Sequence, residues 1–352
     1  MEEKLQNLVN SIAPLDQKAM EKAQQRLDSL TKPPGSLGAM EEIVRKIAGI
    51  TGSPLPGLPE KCCILMAADH GVVQEGVSAY PQEVTTQMVL NFLQGGAAMN
   101  VLAHHEGARL VVVDVGVAGT LPGHPMLLKR KVAPGTANMC LGPAMKRAEA
   151  LEAIFVGVEV VNQLIDEGVG LVGIGEMGIG NTTPSTAIIS FFGKYPVEEV
   201  VGRGTGVNDK HFMIKVNAIK KALAVNNPCR DDSLDVLAKI GGLEIAGMAG
   251  IVLGAAARRV PVVVDGFISG AAAIIAAKMA PLSASYLLAS HLSDEPGHAA
   301  ILKEVGIKPL LYMNLRLGEG TGAALAMNII DASLKIMKEM ATFDDAGVSG
   351  PA

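Results

Sequence analysis

Tryptophan is absent from this 352-residue chain, and with 40 glycines that absence fits a parallel α/β protein with many tight strand-to-helix turns. Charge is scarce: 18% of residues are charged against 49% hydrophobic, so most of the chain must be packed. The length suits one large domain, or one domain plus a small accessory piece. The formal net charge is −5 and the pI is near 5.8, which argues against a nucleic-acid footprint. No basic run exceeds Lys129-Arg130-Lys131, and a solvated loop accounts for that one. Long apolar segments are missing too. The most apolar charge-free stretch, Ile245 to Ala257, stops at Arg258-Arg259, too short to span a bilayer. The start, Met1-Glu2-Glu3-Lys4, lacks the basic and apolar regions of a secretion signal, so a cytoplasmic location is expected. The cysteines, Cys62, Cys63, Cys140 and Cys229, match no zinc spacing and no disulfide framework. Cys62 and Cys63 read as core thiols.

What is present is a regular alternation. Residues 1 to about 30 show helical spacing broken by Pro14, and Lys32-Pro33-Pro34-Gly35-Ser36-Leu37-Gly38 punctuates the chain before a helix at Met40 to Ala48. Short β-branched runs follow, each ending in small or polar residues. Cys62 to Ala67 leads to Asp69-His70, Arg109 to Val113 to Asp114, and Gly170 to Ile174 to Gly175-Glu176. Val260 to Val264 leads to Asp265, and Tyr286 to Ser290 to His291. Ala-rich helical stretches separate them, such as 144–167, 210–225 and 243–257. Continuous apolar strands alternating with helices predict a parallel sheet covered on both faces. In such sheets ligands bind at the carboxyl ends of strands, where the polar residues cluster here. The tail after about residue 342 is small and polar and is expected to fray.

Several places could carry chemistry. Arg316-Leu317-Gly318-Glu319-Gly320-Thr321-Gly322 sets one carboxylate between glycines on a turn that enters an Ala-rich helix. Glycines permit close approach to a ligand, and a carboxylate there is a candidate general base; a charged cap on an ordinary loop has the same spacing. Gly175-Glu176-Met177-Gly178-Ile179-Gly180-Asn181-Thr182-Thr183-Pro184-Ser185 reads as a glycine loop with Thr183 as N-cap and proline at the first helical position. A helix N-terminus with hydroxyls suits a phosphate. It is not a Walker loop, because no lysine follows the last glycine. Gly202-Arg203-Gly204-Thr205-Gly206-Val207-Asn208-Asp209 is wrongly spaced for a dinucleotide fingerprint, and Lys215 downstream could face a phosphate. Asp69-His70 lacks further metal ligands at suitable spacing, so a structural turn is the simpler reading. In His291-Leu292-Ser293-Asp294-Glu295-Pro296-Gly297-His298, Ser293 offers an anion contact, and both histidines can be satisfied loop residues. Tyr80, Thr85, Gln87 and Met88 could hold a flat heterocycle, or form a helix packing face. No GxSxG elbow is present.

Read in order, Lys32 to Gly38, Ala68-Asp69-His70-Gly71-Val72, Gly175 to Pro184, Val264-Asp265-Gly266-Phe267-Ile268-Ser269 and Arg316 to Gly320 resemble one family. It is the nicotinate-nucleotide–dimethylbenzimidazole phosphoribosyltransferase family, which makes the lower-ligand nucleotide of cobalamin. The resemblance runs from about residue 30 to 330. It implies a Rossmann-like parallel sheet with helices on both faces, and a homodimer. It also implies a small helical domain from both chain ends, residues 1–30 with 331–352, beside a large α/β domain at 31–330. The implied reaction moves phosphoribose from nicotinate mononucleotide to a benzimidazole nitrogen, with inversion from β to α and no cofactor or metal. Matched by motif, Glu319 is the catalytic base and Glu176 a second active-site carboxylate. Lys215, Ser293 and the glycine loops, with Gly178, Gly180, Asn181, Thr182, Gly202, Gly204 and Gly206, would surround the phosphate. Tyr80, Met88 and Met177 would face the base, and Gln87, Asp265, Leu317, Gly318 and Gly320 complete the expected site. A nucleotide-dependent oxidoreductase on the same sheet, or a non-catalytic nucleotide sensor, is the alternative.

Overall fold

The computed structural model describes residues 1–202, 204 and 209–349. Arg203, Thr205, Gly206, Val207 and Asn208 of the second glycine loop lie outside the described residues. Seven strands form one sheet: β1 (Glu60–Ala68), β2 (Arg109–Gly116), β3 (Leu127–Lys129), β4 (Val169–Met177), β5 (Val262–Val264), β6 (Leu287–His291) and β7 (Pro309–Leu311). Their spatial order is β3-β2-β1-β4-β5-β6-β7 and every pairing is parallel. This is the doubly wound order 3-2-1-4-5-6 with one strand added, and its switch point falls between β1 and β4.

Both faces are buried, which is why the central strands read as unbroken apolar runs. On β1, Cys62, Ile64, Met66 and Ala68 enter one core while Cys63, Leu65 and Ala67 enter the other. Each large apolar side chain so buried contributes about 1.5–3 kcal/mol. Helices Arg147–Asp166 and Leu243–Ala257 cover the first face, and helix Thr321–Glu339 helps cover the second. No helix among the described residues is long and apolar enough to cross a membrane.

Three details refine the sequence reading. The edge strands β3 and β7 have three residues each, too few for a periodic signal. Lys129 of the basic run ends β3, and its Nζ donates to Leu121 O at 2.7 Å, while Lys131 Nζ donates to Gly119 O at 3.0 Å. The run therefore holds a loop rather than waving in solvent. Asp69 Oδ2 accepts the Ala118 N–H at 2.7 Å, tying the end of β1 to the loop after β2.

The two ends of the chain meet. Asp16 Oδ1 accepts from Ala19 N at 3.0 Å and starts helix Gln17–Ser29. From it Arg26 Nε donates to Met337 O at 3.1 Å, and Thr31 N donates to Ala341 O at 3.1 Å. Leu30 and Thr342 form an antiparallel bridge beside them.

Candidate active site

A cavity of about 450 Å³ opens over the carboxyl ends of the central strands. Tyr80, Val84 and Met88, which follow β1, bound one side; Ser293 and Glu295, which follow β6, bound the other. Glu176 and Met177 end β4 between them, and Gly266, Phe267 and Ile268 follow β5. Val84, Met88, Met177 and Ile179 give the lining an apolar stretch, and Leu317 adds to its apolar surface. Tyr80 and Leu317 are 53% and 57% exposed, which puts them at the mouth.

Glu319 enters this cavity from a tightly wound turn. Gly318, Glu319 and Gly320 have φ of 80°, 65° and 88°, so a glutamate holds a left-handed conformation between two glycines. Such a conformation costs a non-glycine residue about 1–3 kcal/mol and persists only where its surroundings enforce it. Two features enforce it. Buried Asp265 accepts Gly320 N at 3.1 Å on Oδ2, and Gly322 N at 2.7 Å and Ala323 N at 3.1 Å on Oδ1. These are free amides at the start of helix Thr321–Glu339, where a carboxylate is favoured. Gly175 supplies the second: a Cβ there would lie 2.5 Å from Glu319 O.

The electrostatics follow from the packing. Burial, then the charge of Asp265, pushes the Glu319 carboxyl up to about 7. Burial, then Glu244 and Asp265, pushes Glu176 up to about 8. The Glu319 N–H donates to Glu176 Oε1 at 3.5 Å, and the Asn181 amide donates to Glu176 Oε2. The helix begins at Thr182 rather than after Thr183. Gly180, at φ 90°, makes the turn, and Pro184 falls at the third helical position. Asp265 is raised by burial against His291 and its three amides. His291 is lowered by burial, against the pull of Asp265.

The polar side is assembled around a buried lysine. Lys215 is 1% exposed, and its Nζ donates to Thr182 Oγ1 at 2.7 Å and Gly202 O at 3.1 Å. Burial lowers it to about 8, with the Glu295 charge opposing. Behind β1, His70 Nε2 meets Glu244 Oε1 at 2.8 Å, the side chains 1% and 0% exposed. Burial works against the charged imidazole, yet Glu244 outweighs it and the His70 pKa is raised.

Of the residues singled out in the sequence, Tyr80, Met88, Glu176, Met177, Gly178, Asn181, Thr182, Gly204, Ser293, Leu317, Gly318 and Glu319 line the cavity. Gln87 faces outward on helix Glu83–Leu93 and does not. Lys215, Asp265, Gly180 and Gly320 stand behind the lining, and Gly202 lines a neighbouring cavity with Glu295 and Arg316. Val84, Ile179, Phe267, Ile268, His291 and Glu295 line the main cavity without having been assigned a role. His291 ends β6, and Phe267 and Ile268 follow β5 after Asp265 and Gly266, so their position at strand ends was the available signal.

A family model described as Phosphoribosyltransferase matches residues 12–348. The nicotinate-nucleotide–dimethylbenzimidazole phosphoribosyltransferase of Chloroflexus aurantiacus is 56% identical over 345 residues, covering 98% of each chain. The protein of that name from Desulforamulus reducens is 56% identical over 346 residues, covering 98% of this chain and 99% of its own. The crystal structure of CobT from Thermus thermophilus superimposes with a TM-score of 0.91 at 48% identity, over 95% of this chain and 100% of that one.

Proposed function

The chain belongs to the nicotinate-nucleotide–dimethylbenzimidazole phosphoribosyltransferase family, and from that premise we propose a mechanism in which Glu319 is the only proton acceptor. The reaction moves 5-phosphoribose from nicotinate mononucleotide to 5,6-dimethylbenzimidazole in cobalamin biosynthesis. Its products are nicotinate and α-ribazole 5′-phosphate.

The donor's ring nitrogen is cationic. When its bond to the ribosyl carbon breaks, the bonding pair neutralises that nitrogen and nicotinate departs without a proton. No general acid is needed, unlike glycoside hydrolysis with its paired carboxylates. The incoming benzimidazole attacks through its bare ring nitrogen from the opposite face, which inverts β to α. The cation so formed then loses its N–H proton to one carboxylate. The observation that supports Glu319 for this role is its place on the enforced turn at the cavity, with a pKa of about 7. Glu176, near 8, holds its proton more firmly than Glu319, so Glu319 ionises first. The apolar wall with Tyr80, Met88 and Met177 suits the flat base, and Thr182, Ser293 and Gly204 suit the phosphate, with Lys215 behind them. Holding both ring systems about one carbon supplies much of the remaining rate.

The homodimer implied by the family, and a small domain of residues 1–30 with 331–352, belong to the same proposal. Light scattering tests the first. The function itself is tested by incubating the protein with nicotinate mononucleotide and a panel of benzimidazoles, purines and phenols. An α-linked benzimidazole nucleotide with stoichiometric nicotinate is the expected outcome; no nicotinate release with any base would refute it.

A further inference from the structure

Ser290 and His291 close β6 at the cavity floor. The Ser290 hydroxyl donates to Asp265 O at 2.8 Å, and a hydroxyl has one proton to give. The 2.9 Å contact between the same oxygen and His291 Nδ1 must then run the other way, with Nδ1–H donating. Asp265 Oδ1 lies 3.9 Å from Nδ1, too far for a hydrogen bond but close enough to favour the proton there. Burial keeps the ring neutral, as its lowered pKa reflects. Nε2 therefore carries a bare lone pair.

That nitrogen has no hydrogen-bond partner among the described residues, although its ring lines the cavity. Open space lies beside it because position 266 is glycine: a Cβ there would sit 3.7 Å from Nε2 and 3.9 Å from Ser293 Cβ. Nothing in the described wall uses this acceptor.

A neutral acceptor selects among the groups a phosphoribosyl donor brings. Phosphate oxygens present lone pairs and repel it; Thr182 suits them instead, with Lys215 behind it. The nicotinate carboxylate is likewise an acceptor. The benzimidazole N–H is the proton assigned to Glu319. Only the ribosyl hydroxyls remain as donors. Resting on the phosphoribosyl-transfer reading, we propose that His291 Nε2 accepts a hydrogen bond from a ribosyl hydroxyl, and so selects ribosyl over deoxyribosyl donors. The contact fixes the sugar ring between the phosphate side and the base side.

The test compares nicotinate mononucleotide with its 2′-deoxy and 3′-deoxy analogues, on the unaltered chain and on His291→Phe, which keeps a ring without the acceptor. One deletion should cost the unaltered protein roughly tenfold in kcat/KM. His291→Phe should lose a similar factor with the natural donor and nothing further with that analogue. Losses that simply multiply would overturn the proposal, as would equal rates of the unaltered protein on all three donors. Should the variant fail to fold, histidine ¹⁵N NMR of the unaltered protein decides. His291 Nε2 should resonate as unprotonated, and should shift with ribose 5-phosphate but not with inorganic phosphate. A protonated Nε2, or an equal response to both, contradicts the assignment. Absence of nicotinate release would sink the transferase reading separately, and the ribose 5-phosphate titration would still judge His291.

Discussion

The backbone N–H of Glu319 points at Oε1 of Glu176 across 3.5 Å, so one carboxylate partly holds the turn that carries the other. Glu319 must be ionised to take a proton, so kcat should rise through about pH 7. Loss of the second proton, near 8, places two charges together and should end the plateau. Glu176→Gln imitates the protonated residue. A pH–rate profile of that variant should keep the ascending limb and lose the upper break.

Asp265 anchors the same turn with both oxygens. Asparagine offers one acceptor oxygen for the three amides, so Asp265→Asn should lose about 1–3 kcal/mol of stability, read from denaturant melts. It also removes a charge that raises Glu319. The ascending limb of the pH profile should therefore move to lower pH, the opposite of what added burial would give.

Gly175→Ala places a Cβ 2.5 Å from Glu319 O, and the atom it meets is backbone. The turn must move. A displacement near 1 Å at a reacting group costs on the order of 100-fold, so kcat should fall by about that factor while the KM for nicotinate mononucleotide changes little.

The His70–Glu244 pair is fully buried, and removing one partner strands a charge. His70→Gln should destabilise by about 3–5 kcal/mol. The sign of its pH dependence follows from the raised His70 pKa. The pair's contribution is full below the unfolded value of 6.5 and fades as pH rises through the folded one. Unfolding free energies of the two proteins should therefore converge at high pH.

Much of this was legible in the residues. The central strands β1, β2 and β4 are buried on both faces and so announce themselves as unbroken apolar runs. Glu319 was visible because the turn needs glycine on each side. Other parts depend on contacts that spacing does not encode. Asp265 is separated from the amides it holds by more than fifty residues. Glu244 sits inside an apolar helix pattern, and its partner His70 lies 174 positions away. The helix after Gly180 starts at Thr182 with Asn181 at the cap position, but the Asn181 side chain is spent on Glu176 and caps no helix amide, a contact that local preferences do not encode. His291 gave only its position after a strand; its free nitrogen is set by where Ser290 sends its proton.

The most direct measurement is turnover of Glu319→Gln with nicotinate mononucleotide and dimethylbenzimidazole, at saturating concentrations of both and with folding checked by circular dichroism. Removing a general base costs about 10²–10⁴-fold. kcat should fall by that factor, with donor binding retained. Turnover within a few-fold of the unaltered protein would contradict it, because the proton would then be leaving by a route other than Glu319.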